Sequence, residues 1–216
     1  MNIHFNNKFN EYELGIDEAG RGPLFGRVYA AAVILPKINL KLELIKDSKK
    51  FNSYEKLLQS AEYIKNNSIK WAVAYCDETE IDNYNIRKAT HYAMHKASRI
   101  IIDDLDDVEK THLLVDGIDF TPMTYFKDNI LHNINYTCIK KGDNKYYSIA
   151  AASILAKSER DKYILDLCEN EPELHEKYYL KNNKGYGTKQ HINGIIQYGV
   201  SKYHRKSFGI CKNYNI

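Results

Sequence analysis

The stretch that most constrains this chain is Leu14 to Val28, LGIDEAGRGPLFGRV. Two adjacent carboxylates, Asp17 and Glu18, follow the apolar residues Leu14 and Ile16 and precede three glycines, Gly20, Gly22 and Gly26. The run Arg27 to Leu35, RVYAAAVIL, reads as a strand that stops at Pro36. With Tyr12 to Ile16 as its partner, the pattern predicts an antiparallel hairpin whose link is rich in glycine. Asp17 then sits at the centre or end of a buried strand. A buried carboxylate is costly unless it is paired or binds a cation. Glycines beside it let backbone approach closely or take positive φ. Together these features predict a metal–carboxylate site next to a glycine loop that can lie against a phosphate or sugar.

Beyond the hairpin, Ser53 is placed to cap a helix over Tyr54 to Asn66, where Leu57, Leu58, Ala61 and Ile64 recur at helical spacing. Ile69 to Tyr75 reads as a third strand, Asp77 to Asn83 as a short helical turn, and Ile86 to Ile102 as a long amphipathic helix. His112 to Val115 is a short buried strand ending on Asp116-Gly117, Tyr125 to Leu131 reads as a helix, and Ile134 to Ile139 as a strand running into Lys140-Lys141-Gly142-Asp143. Tyr146 to Leu167 reads as a helix whose small residues, Ala150, Ala151, Ala152 and Ala156, can pack close against a sheet. Thr188 to Tyr198 is a last helix, and residues 1–11 are a polar lead-in. No internal repeat or long linker divides the chain. The expected architecture is α/β, a mixed central sheet flanked by helices. It forms a single domain over 1–216, with a core at 12–168 and a C-terminal helical region at 169–216.

Composition narrows the class. Hydrophobic residues make up 44% of the 216, enough for a core and against wholesale disorder. The net charge of +3 points only weakly to a polyanionic partner. The four cysteines, Cys76, Cys138, Cys168 and Cys211, form no CxxC pair and have no His at zinc spacing, so reduced thiols are expected. No apolar run approaches the ~20 residues of a membrane span. These features predict a soluble, cytoplasmic protein with no membrane partner. No GxxxxGK[ST] occurs, which sets aside a P-loop NTPase.

Acids fall at three predicted strand ends: Asp17-Glu18, Asp116 and Asp143. Asp17 and Asp116 are expected side by side on adjacent strands, with Asp143 reaching in from the loop before the alanine-rich helix. Carboxylates without a thiol or His pattern favour hard cations, Mg²⁺ or Mn²⁺, and such a cluster suits a pair of ions for in-line displacement at phosphorus. Other features have plainer readings. The Asp103, Asp104, Asp106, Asp107 run is a solvated loop, Asp119 and Asp161 are cap or surface partners, and His91 and His95 pack on a helix face. Positive groups cluster around the acids in sequence: Arg21; Lys46, Lys49 and Lys50; Lys140, Lys141 and Lys145; Lys157 and Arg160; Lys184 and Lys189; His204, Arg205 and Lys206. Cations ringing a carboxylate centre suit a phosphodiester backbone.

Eight segments, in order, carry a resemblance. GIDEAGRGPLFG, DSKK, EIDNYNIRKATHYAMHKA, VDG, KKGD, SIAAASILAKSERD, KGYGTKQH and HRKSFG resemble the type 2 ribonuclease H family, ribonuclease HII, over about Leu14 to Gly209. Phe25 and Arg27 stand where small residues or Pro are common in that family, and the stretch from Gly117 to Ile139 is longer than in many members. The resemblance implies a ribonuclease H-like fold with a C-terminal helical region that helps hold substrate. It implies that Asp17, Glu18, Asp116 and Asp143 are the catalytic, metal-binding acids. It further implies that Gly20, Arg21 and Gly22 contact the ribose 2′-OH, that Lys49 binds substrate, and that Tyr186 stacks near the sugar at an RNA–DNA junction. The implied activity is cutting the RNA strand of RNA–DNA hybrids, and cutting 5′ of single ribonucleotides in duplex DNA, by a monomer using Mg²⁺ or Mn²⁺. Its products carry 3′-OH and 5′-phosphate ends, and its roles are ribonucleotide and primer removal. A non-catalytic nucleic-acid-binding module would not need all four acids. A resolvase- or transposase-like nuclease would lack the glycine–arginine–glycine loop and the KGYG tyrosine.

Overall fold

A computed structural model describes residues 1–3, 12–45 and 53–214. The predicted hairpin is present as β1 (Tyr12–Ala19) and β2 (Val28–Ile34), and β1 runs on past Ile16 so that both acids lie within it. After α1 (Tyr54–Asn67), capped by Ser53, β3 (Lys70–Cys76) pairs antiparallel with β2. Then follow α2 (Glu78–Tyr84), α3 (Ile86–Ile102) and β4 (Thr111–Asp116). β4 lies parallel to β1 on its other side. β5 (Thr124–Lys127) and β6 (Ile130–Asn133) make a separate two-stranded ribbon, and β7 (Asn135–Ile139) lies parallel to β4. The result is a mixed five-stranded sheet, β3–β2–β1–β4–β7.

The β5–β6 ribbon corrects the expectation of a helix over Tyr125 to Leu131. Its turn is Asp128-Asn129, both at positive φ (51° and 62°). Asp and Asn tolerate that region without being glycine, and two such residues in succession match the right-handed twist of a hairpin. Across the ribbon the Tyr125 and His132 rings stack, centroids 5.1 Å apart.

Helices cover both faces of the sheet. One face packs Leu14, Ile16, Val28, Ala30, Ala32, Leu113 and Val115 against Ala89, Ala93, Ala97 and Ile101 of α3. The other packs Ala31 and Val33 against α1 and α4 (Tyr147–Asn170). Burial on both faces explains why β2 is an uninterrupted apolar run rather than an alternating one. The alanines of α4 let it lie almost on the strands. At Gly15 of β1 a Cβ would stand 2.2 Å from the carbonyl carbon of Ser148, so only glycine permits this approach.

α4 continues beyond the predicted Leu167 to Asn170, where Pro172 follows. Its far end leaves the sheet. Ile164 and Cys168 enter a second core with Phe25, Leu174, Leu180 and Ile195, built around α5 (Glu173–Tyr178), α6 (Leu180–Asn183) and α7 (Lys189–Tyr198). One helix therefore serves both cores, and Phe25, from the glycine-rich link, anchors that link to the C-terminal helices. Among the described residues no helix is long and apolar enough to cross a membrane.

Candidate active site

Parallel register brings the first acids together. Ile16 pairs with Val115, one residue short of Asp17 and Asp116, so Asp17, inside β1, comes beside Asp116 at the end of β4. Side chains alternate along β1, which puts Asp17 on the Gly15 face, under α4. There Ser153 donates a hydrogen bond to its carboxylate. Asp17 Oδ1 also accepts the Glu18 N–H at 2.7 Å, and Arg21 pairs with Glu18 at 3.3 Å. Asp116 Oδ1 accepts the Gly142 N–H at 2.6 Å, tying the end of β4 to the 3₁₀ turn Gly142–Asn144. Asp143 sits buried in that turn, and its charge bears on Asp116.

Asp17, Glu18 and Asp116 line a cavity of about 290 Å³ whose other walls include Gly20, Arg21, Gly22, Arg160 and Tyr186. Asp143 is not among the residues lining that cavity, though its charge and its backbone N–H both act on Asp116. Lys49 and the rest of DSKK lie outside the described residues.

The acids are not at ease. Burial pushes the Asp17 carboxyl well above its ordinary range, and the charges of Glu18 and Asp116 push it further. Burial also raises Glu18, with Arg21 pulling it back, and raises Asp116, with the Gly142 N–H opposing. Nearby oxygen donors that repel one another fit a hard divalent cation, which would relieve both the desolvation and the repulsion. Among the described residues no three acidic, His or Cys side chains form an ion cage.

The opposite wall is irregular backbone between β1 and β2. Gly20 has φ +96°, and a Cβ there would meet Arg160 Nε at 2.3 Å, so glycine is required on both counts. Arg160 itself is 1% exposed. Its Nη2 donates to the Lys184 carbonyl at 2.8 Å, and Nη1 lies 3.9 Å from Asp161 Oδ1, yet Nε and Nη1 make no hydrogen bond. A buried guanidinium with unused donors on a cavity wall fits an anionic ligand. Its carbon lies 5.7 Å from the centre of the half-exposed Tyr186 ring, and the same ring is 3.5 Å from where a Cβ at Gly22 would stand.

Arg205, read from the sequence as part of a cation cluster facing phosphate, has a different role. It is 0% exposed. Nε donates to the Gly26 carbonyl at 2.7 Å, Nη1 to Arg21 and Pro23 at 3.0 and 2.9 Å, and Nη2 to Gly20 and Arg27 at 2.6 and 3.1 Å. All the N–H groups of the fork are spent on the carbonyls of one loop. Ser153 was likewise missed. With Lys157 and Arg160 it lines the cavity at i, i+4, i+7 along α4, and that helical spacing was the available signal. The plainer readings hold. His91 and His95 bond Thr121 and pack on Phe120, and Asp119 pairs with Arg87. Asp161 departs from its surface reading: it is buried within α4 and accepts from Lys157 at 2.7 Å.

Residues 14–211 match the family model for Ribonuclease HII. Ribonuclease HII of Parabacteroides distasonis is 45% identical over 196 residues, covering 91% of this chain and 89% of that protein. Ribonuclease HII of Rickettsia akari is 43% identical over 210 residues, covering 97% of each. Among solved structures, ribonuclease H2 from Pyrococcus horikoshii superposes with a TM-score of 0.67 at 21% identity, over 94% of this chain and 96% of that one. The ribonuclease HII solved in a PCNA complex from Archaeoglobus fulgidus gives 0.64 at 22%, over 92% and 96%.

Proposed function

The chain belongs to the ribonuclease HII family and is a ribonuclease H, a hydrolase; from that premise we propose that it cuts the RNA strand of RNA–DNA hybrids and cuts 5′ of single ribonucleotides in duplex DNA, leaving 3′-OH and 5′-phosphate ends. The observation that carries this reading is one cavity lined both by Asp17, Glu18 and Asp116 and by the glycine loop with Tyr186. Acids alone would serve many phosphodiesterases. A loop of close-approaching backbone beside them adds a means of sensing a 2′-OH, the group that separates RNA from DNA at a given sugar.

In this reading Asp17, Glu18, Asp116 and Asp143 hold Mg²⁺ or Mn²⁺, in a two-ion arrangement. When bound, the metal supplies Lewis acidity for an attacking water and charge relief for the leaving oxygen. Ser153 keeps the Asp17 carboxylate oriented. Arg160 offers its unused donors to a phosphate, giving affinity without sequence preference. Gly20, Arg21 and Gly22 face the ribose, and Tyr186 stacks at the junction sugar. Lys49 adds a cation to the same backbone. The deciding experiment maps cleavage on a duplex carrying one ribonucleotide, with and without Mg²⁺. A single cut 5′ of that ribonucleotide, only with the ion, supports the reading. Binding without cutting overturns it.

A further inference from the structure

Directly beneath Tyr186 lies a pair of histidines with no part in the chemistry described so far. His191, on α7, is 0% exposed, and His204, one residue before Arg205, is 1% exposed. Their Nε2 atoms are 3.1 Å apart. His191 Nδ1 lies 2.9 Å from the Tyr186 carbonyl, and His204 Nδ1 lies 2.9 Å from the Ser201 N–H. A carbonyl only accepts and a peptide N–H only donates, which fixes both tautomers. Ser201 N–H donates to His204 Nδ1. His204 Nε2–H donates to His191 Nε2. His191 Nδ1–H donates to the Tyr186 carbonyl. Every ring nitrogen thus has a partner, with Ser201 Oγ also 2.9 Å from His204 Nδ1.

The surroundings suit a neutral pair. The rings of Phe25 and Tyr178 lie against both histidines, at 5.0 and 4.7 Å from His204, and no carboxylate is among the groups that perturb either one. Burial drives the pKa of His204 down to about 3 and lowers that of His191. The Tyr186 carbonyl accepts a second bond, from Thr188 N–H at 2.8 Å, so its direction is fully determined. The same short segment reaches the other wall. Phe25 and His204 form a β-bridge, Gly26 N–H donates to the Tyr203 carbonyl, Arg205 N–H donates to Leu24, and Leu24 N–H donates to Gly185.

We propose that His191 and His204 are positioning residues: their one-tautomer relay holds Tyr186 at a set separation from the glycine loop that Arg205 grips, and so governs how the enzyme distinguishes a lone ribonucleotide from a long hybrid. The inference rests on the junction role given to Tyr186 above. Two neighbouring residues, His204 and Arg205, thereby fix both walls that meet the ribose.

The test compares wild type, His191→Phe, His191→Asn, Tyr186→Ala and the double variant His191→Phe/Tyr186→Ala. Each is assayed at saturating substrate on a one-ribonucleotide duplex and on a long hybrid, and amide exchange is followed over residues 184–188. His191→Phe keeps ring volume but removes the relay, and is expected to lower kcat on the one-ribonucleotide duplex about tenfold relative to the hybrid. Adding Tyr186→Ala should lower that ratio no further, since both act through one element. His191→Asn, whose amide N–H reaches the Nδ1 position, should restore most of the ratio and the exchange protection. An unchanged ratio and unchanged exchange in His191→Phe would overturn the proposal. If that variant does not fold, His204→Asn keeps the acceptor for Ser201 and breaks the relay in its middle, and is read by the same two measures. If Tyr186→Ala leaves the ratio unaltered, the junction role fails, while exchange over 184–188 still decides the relay.

Discussion

The two walls of the cavity are built on opposite terms. One is regular: two parallel strands deliver Asp17 and Asp116 side by side, and burial with mutual repulsion makes their charge costly to hold. The other has no regular structure, yet Arg205 spends its whole fork on loop carbonyls and the histidine pair uses every ring nitrogen. Ordered backbone holds charge that burial and repulsion disfavour, and irregular backbone is held by a charge whose donors are all used. Groups with every partner in place mark what must not move. Arg160 confirms the distinction within one residue type: it is buried like Arg205, but two of its nitrogens are unspent and it lines the cavity.

The largest effect is expected on the strained wall. Asp17→Asn should reduce Mg²⁺-dependent cleavage about 10⁴-fold, measured in single turnover, with the fold and hybrid binding retained. Because the substitution removes a desolvated charge, its metal-free melting temperature at pH 8 should equal or exceed that of wild type, and Mg²⁺ should raise the melting temperature of wild type more than that of the variant. A marked loss of stability would mean the acid wall is not strained.

On the satisfied wall, the cost should fall on stability first. Arg205→Met keeps length and burial but leaves the loop carbonyls unpaired, and should cost about 3–4 kcal/mol in urea unfolding. Full stability in that variant would break the comparison at its strongest point.

A smaller effect concerns pH. His204 has its folded pKa depressed from 6.5 to about 3, so below pH 6.5 the unfolded chain takes up a proton that the folded chain refuses. Its contribution is present above 6.5 and lost as pH falls toward 3, by about 2 kcal/mol between pH 7 and pH 5. The raised carboxyl pKa values of the other wall act with the opposite sign, favouring the fold as pH falls. The clean measurement is therefore the stability difference between wild type and His204→Gln, which should narrow by that amount from pH 7 to pH 5. A constant difference would show that the pair is not held neutral.

The smallest expected change is in Tyr186→Ala. Cleavage at a single ribonucleotide should fall about tenfold more than cleavage of a long hybrid, the scale of one lost stacking contact. Equal losses on the two substrates would leave Tyr186 a general wall rather than a reader of the junction.

The strained wall was the legible one. An acid following Leu14 and Ile16 in a strand-like run announces itself, and so does Asp116 after HLLV, because a charge placed where burial is expected breaks a pattern. The close helix was visible too, in the alanines of α4. The satisfied wall was hidden. Arg205 donates to backbone carbonyls, which no side-chain spacing records, so in sequence it looked like one more surface cation. The β5–β6 ribbon was misread because its turn is Asp128-Asn129 without a glycine and its short strands lack strict alternation. Asp143 falls in the buried turn where the sequence placed it, ahead of the alanine-rich helix.

The grip of Arg205 has a consequence for the order in which the molecule comes into being. Its partners lie 178 to 185 positions earlier in the chain. A polypeptide emerges from the ribosome N-terminus first, at about 5–20 residues per second. Asp17 and Glu18 are therefore made early, while the loop beside them stays unshaped until residue 205 has been added and freed from the exit tunnel. A nuclease whose glycine-loop wall is assembled so late passes most of its synthesis, surrounded by messenger and ribosomal RNA, with its cavity unfinished.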